Sequence, residues 1–146
     1  MQIITNKGFS LVELIVVIAI MAVLVGVLAP QLIKYVEKSR EATDIQTCDN
    51  IATALKTYYA DEEVSASATT ATTVTVTLTT TELGTGADTA VKDAGLTKAK
   101  IKGTKWTSDK ITIVYDKKDG TIEYTGDSPY YHSDKDQFKK GPKSGK

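Results

Sequence analysis

One cysteine, one histidine and one tryptophan among 146 residues leave little room for several kinds of chemistry. A single thiol closes no intramolecular disulfide, so the cross-linked framework of many small secreted domains is absent, and metal sites needing several Cys or His ligands are excluded with it. Net charge is missing too. The 18 basic side chains balance 18 acidic ones, whereas a dedicated nucleic-acid binder needs a cationic surplus to neutralise phosphates. No second histidine accompanies His132, and neither a Ser-His-Asp set nor a glycine-rich phosphate loop is present, so enzymatic activity is not expected. Proline is scarce, and of its three residues only Pro30 falls in the first half of the chain.

What is there is segregated. From Phe9 to Ile33 run 25 residues whose only ionisable side chain is Glu13. As a helix this stretch extends about 37 Å, enough to cross a hydrocarbon core of about 30 Å. A cleaved secretory signal predicts a basic region, a short apolar core and a small-residue cleavage site. Here the apolar run instead continues through Pro30 into a polar helical pattern. A carboxylate five residues into such a run is costly at membrane depth unless neutralised or paired, which makes Glu13 a functional candidate; placement at the headgroups is the plainer alternative. No basic residue lies between Lys7 and Lys34, so a paired Glu13 needs a positive charge from another subunit.

The block Lys7-Gly8-Phe9-Ser10-Leu11-Val12-Glu13-Leu14 resembles the class III signal of type IV pilins and pseudopilins. The resemblance is close over roughly the first 35 residues and loose over the next 25. It implies that a prepilin peptidase cuts between Gly8 and Phe9, that the new N-terminal Phe9 is methylated, and that Glu13 pairs with the terminal amine of an adjacent subunit. It further implies a single-pass precursor in the plasma membrane, a pilus assembly machinery, a homopolymer with other pilins, and then an extracellular surface filament. A pseudopilin of a type II secretion or DNA-uptake system, an adhesive surface pilin, and a signal-anchored protein that never polymerises are the alternatives. Three departures stand out. The leader is basic only at Lys7. Lys34, Lys38 and Arg40 on the far side keep Lys/Arg asymmetry from fixing the orientation. Ala22 stands where many members have a helix-loosening glycine eight residues before the proline, so any kink or unwinding falls at Gly26 to Pro30.

Beyond Pro30, Leu32, Ile33, Val36, Ile45, Cys48, Ala52, Leu55 and Tyr59 recur at three and four. One stripe on a long amphipathic helix follows, with a helix of about 50 residues in all and Glu37, Arg40 and Glu41 on a solvated face. Cys48 reads as a small apolar residue under the head. Threonine fills nine of the thirteen positions from Thr69 to Thr81, and Val74–Thr79 alternates as a strand does. The Thr-rich segment is an edge strand or loop, with O-glycosylation as the functional alternative. A short helix or loop is expected over Ala87–Ala94. Lys105–Tyr115 and Thr121–Thr125 read as strands joined at Asp116–Gly120, with glycine where positive φ is needed. Ile111, Ile113, Tyr115, Ile122 and Tyr124 then face the helix stripe. Asp116, Asp119, Asp127, Asp134 and Asp136 match no calcium-loop pattern, and no metal or other cofactor is expected. The basic, breaker-rich end, with Lys139, Lys140, Lys143 and Lys146, reads as a mobile tail that could touch nucleic acid or a surface polymer, and His132 as a loop residue beside it.

The fold class is therefore α+β, a long N-terminal helix on a small antiparallel head. Its expected parts are a leader (1–8), a membrane and polymerisation helix (9–33), its amphipathic half (34–62), a Thr-rich loop with the sheet head (63–128), and the basic tail (129–146).

Overall fold

The computed structural model describes residues 8–60, 72–84 and 87–143. Most of the expected leader, the Thr-rich stretch before Thr72 and the last three residues lie outside these. Contacts divide the chain into two units, Met1–Val36 and Glu37–Lys146. Helix α1, Leu11–Tyr59, is 49 residues long and begins in the first unit and ends in the second. It is continuous through Gly26 and Pro30. In the first unit its apolar side chains, from Leu11 to Val36, are exposed. This helix is long and apolar enough to cross a membrane.

In the second unit the rest of α1 packs on a three-stranded antiparallel sheet of β1 (Thr73–Leu78), β2 (Ile111–Asp116) and β3 (Ile122–Thr125), in that order. The period-2 pattern sets the faces. Val74, Val76 and Leu78 turn inward on β1 while Thr73, Thr75 and Thr77 turn out. Ile111, Ile113, Tyr115, Ile122 and Tyr124 join them against Cys48, Ile51, Leu55 and Tyr59. The Tyr59 and Tyr115 rings stack at 5.8 Å. The turn between β2 and β3 places Gly120 at φ 71°, a left-handed conformation that glycine adopts at no steric cost. Helix α2, Thr89–Asp93, is capped by Asp88, whose carboxylate accepts the Ala90 N–H and the Tyr59 hydroxyl.

Two expectations need correction. The strand read from Lys105 begins only at Ile111, because a 3-10 turn at Thr107–Asp109 intervenes, with Ser108 and Asp109 at positive φ and the Thr107 N–H bonded to the Asp127 carbonyl. The expected mobile tail is instead a second, two-stranded sheet, β4 (Tyr131–Asp134) with β5 (Gln137–Lys140). One aromatic outweighs the surrounding charge. Phe138 packs edge-on to Trp106 and tilted against Tyr124, at 5.7 and 5.2 Å between centroids. The Tyr124 N–H then reaches the Lys135 carbonyl and the Ser133 N–H reaches that of Gly126, tying the hairpin to β3 and the segment after it. His132 accordingly lies on β4, with Nδ1 2.8 Å from the Gly141 carbonyl.

Candidate processing and assembly site

The segment that sequence analysis singled out begins outside regular structure. Gly8, Phe9 and Ser10 precede α1, and Phe9 is 94% exposed. Among the described residues, no atom beyond its chain neighbours approaches within 4 Å of a Cβ placed on Gly8. Packing inside the chain therefore gives no reason for glycine at this position, and the Gly8–Phe9 bond stands open.

Glu13 lies in the first turn of α1, and one of its oxygens accepts the Ser10 N–H at 2.8 Å. Ser10 at the helix start with Glu three residues later is one half of a capping box, a signal that the sequence alone carries. The cap satisfies one of the four orphan N–H groups of a helix start, and a carboxylate side chain near the positive end of the helix dipole adds a further favourable contribution. A carboxylate accepts several hydrogen bonds, so this one does not exhaust Glu13. Gly26, like Gly8, has nothing within 4 Å of a built Cβ.

The residues 5–29 match a family described as the prokaryotic N-terminal methylation motif. In this segment the chain is similar to the N-terminus of type IV pilins. Over 58 residues it is 29% identical to the type IV major pilin protein PilA of Myxococcus xanthus (strain DK1622), a stretch covering 40% of this chain and 26% of that one. The matched segment thus spans about a quarter of the length of this curated relative. No solved structure matches the chain.

A second set of buried polar groups in this chain went unseen in the sequence. Glu37 and Glu41 were expected on a solvated face, yet they are 7% and 0% exposed, and Asp44 beside them is 1% exposed. The reason lies in the partners supplied by distant loops. Asp44 accepts the N–H groups of Lys102 and Gly103, each at 2.7 Å, and Trp106 Nε1–H at 2.9 Å. Glu37 accepts the N–H and hydroxyl of Thr104. Glu41 accepts the Ser128 hydroxyl at 2.5 Å, while its other oxygen, Oε1, has no partner. Three successive backbone N–H groups, Lys102 to Thr104, face carboxylates, as in the concave nests that bind anions. Burial pushes the Glu41 carboxyl above its ordinary value; the Ser128 bond opposes this, and the Glu37 and Asp44 charges reinforce it. Gly103 is required here by close approach, since a Cβ would stand 2.7 Å from Glu41 Cγ and 2.9 Å from an Asp44 oxygen.

Three of the acidic residues considered for metal are otherwise engaged. Asp116 Oδ1 accepts the Lys118 N–H, Asp119 Oδ1 accepts from Thr121, and Asp134 pairs with Lys139. Among the described residues no group of three Asp, Glu, His or Cys side chains is arranged to hold a metal.

Proposed function

We propose that the chain is a prepilin, a structural subunit of a type IV pilus-like filament rather than an enzyme. Prepilin peptidase cuts between Gly8 and Phe9, Phe9 is methylated, and the mature helix waits in the plasma membrane as a single-pass anchor. The assembly machinery lifts it into a surface filament in which apolar helix faces pack on their copies. Glu13 then exchanges its cap on Ser10 for the amine of a neighbour's Phe9.

One observation carries this reading. The matched residues 5–29 coincide with an open Gly8–Phe9 bond and with the start of a helix whose apolar side chains find no cover within the chain. Monomeric soluble proteins do not present so long an apolar surface to water, and lipid or like helices are its natural cover. With little hydrophobic drive left between helices in lipid, close packing and polar pairing decide association. An ion pair at Glu13 supplies register as well as energy.

The test is mass and N-terminal analysis of filaments sheared from producing cells, beside the membrane fraction. The expected sheared species begins at a methylated Phe9. A chain that retains Met1 in every fraction would overturn the reading. In the Glu13→Ala variant, membrane insertion is expected to remain normal and sheared filament to fall at least about tenfold, the factor that about 1.4 kcal/mol represents.

A further inference from the structure

The burial of Glu37, Glu41 and Asp44 has an electrostatic counterpart. Between residues 34 and 44 the sequence is charge-balanced, with three cations and three acids, but in the second unit all three acids turn into the head. Lys38 and Arg40 remain exposed beside them, and Arg40 alone has a partner, Glu37 at 3.8 Å.

The hairpin adds to this end of the head. Lys38 Nζ sits 5.8 Å from the centre of the Tyr130 ring. Tyr130 opens the hairpin, and its carbonyl accepts the Gly141 N–H from the hairpin's other leg. Lys140 stands opposite Tyr131, and Lys143 follows two residues after Gly141, both exposed. At the far end, Lys135 meets Tyr124, whose hydroxyl reaches Asp49, more than two helical turns further along α1. The hairpin's open end is thereby fixed at the level of Lys38. Of its acids, Asp134 is held by Lys139, and Asp136 lies at the closed end.

Lys38, Lys140 and Lys143 therefore form a rim of cations at the head's N-terminal end. The last apolar pair, Leu32 and Ile33, precedes Lys38 by only five residues of sequence, which cannot span more than about 18 Å in any conformation. A cation that close to the end of an anchor stays at or beside the headgroup layer, where Lys, Arg and Tyr side chains are favoured. We propose that this rim binds the phosphate-bearing headgroups of anionic lipids, holding the head of the waiting precursor down on the membrane surface. The inference rests on the reading of α1 as a membrane anchor. Each cation near an anionic surface strengthens such contact about fivefold, and salt screens it. Extraction into a filament then requires releasing the rim as well as the helix.

The full-length chain, reconstituted in vesicles, provides the test. A cysteine introduced at Pro142 is labelled with a fluorophore, Cys48 being fully buried with its thiol pushed upward by burial and so out of reach of the reagent. Quenching by a headgroup-nitroxide lipid reports how near the hairpin end comes to the surface. Quenching should rise at least about twofold when part of the phosphatidylcholine is replaced by phosphatidylglycerol. The rise should vanish near 1 M salt, where the screening length is about 3 Å, and in the combined K38Q, K140Q and K143Q variant with an unchanged Tm. Equal quenching in both lipids, or a rise retained in the variant, overturns the proposal. So does duplex DNA that binds the chain in phosphatidylcholine vesicles through the same three lysines while phosphatidylglycerol brings no gain. Flotation of the chain with pure phosphatidylcholine vesicles checks the membrane anchor separately, so failure of the rim leaves that reading standing.

Discussion

Gly103 and Glu41 face each other across the densest polar contact in the head, and each makes a prediction. A methyl at position 103 has no space, because Glu41 Cγ, Trp106 Nε1 and an Asp44 oxygen all lie under 3.0 Å from where it would stand. Gly103→Ala should cost about 2 kcal/mol, the scale of overpacking a closed site. For a unit of this size that lowers Tm by roughly 8 °C, measured by circular dichroism of the detergent-solubilised chain. Glu41 acts through pH. Its carboxyl holds its proton to higher pH in the folded chain than in the unfolded one. The folded state thus binds more protons, and this contribution to stability is complete below the unfolded value and lost as pH rises through the folded one. Glu41→Gln should flatten the fall in Tm between pH 4.5 and neutrality and raise Tm at pH 7. A fall of the same steepness in the variant would assign the titration elsewhere.

At the level of elements, α1, β1 and the β2–β3 hairpin were legible because each carries a periodic signal that nothing opposes. The 25 apolar residues, the stripe from Ile45 to Tyr59 and the Val-Thr alternation of β1 need no tertiary information. Two elements were hidden for different reasons. In β4–β5 only Tyr131 and Phe138 pack against the core, and the other six strand residues are polar or charged. At Glu37, Glu41 and Asp44 helical spacing is the same whether the face meets water or a row of donors, and those donors come from residues 102–104 and Ser128, far away in the chain. Glu13 stood out by itself, as a lone carboxylate in an apolar run. Gly8 was legible only through the family pattern, since no described residue packs against it. Gly26 belongs with Gly8. Inside a helix a glycine costs about 1 kcal/mol relative to alanine, and here no neighbour within the chain explains it. Gly26→Ala should stabilise the isolated helix by about that amount and reduce the filament recovered by shearing, as expected if the segment from Gly26 to Pro30 loosens during assembly. Unchanged yield would remove Gly26 from the assembly mechanism.

For the molecule as a whole, net neutrality and an uncovered apolar segment set the kind of cohesion available to a polymer. Long-range repulsion between like subunits is small when net charge is zero, and helix packing supplies contacts that salt does not screen. Sheared filaments should therefore stay sedimentable in 1 M NaCl and come apart in mild detergent, which offers the helices an alternative cover. Dispersal by salt alone would mean that surface ion pairs, rather than apolar helices, hold the polymer together.

The carboxylate bonds between α1 and the loops also impose an order in time. Asp44 waits for residues 58 and 59 positions further on, and Glu41 waits for Ser128, 87 positions further on. At a translation rate of about 5–20 residues per second, roughly 4 to 17 s separate the synthesis of Glu41 from that of its partner. Until its own partner has been made, each of the three carboxylates that end up inside the head remains hydrated. They follow directly on the apolar run, and moving them into hydrocarbon is strongly unfavourable. If α1 anchors the precursor as proposed, the nascent chain thus carries its own stop at Glu37, set before any strand of the head has been made.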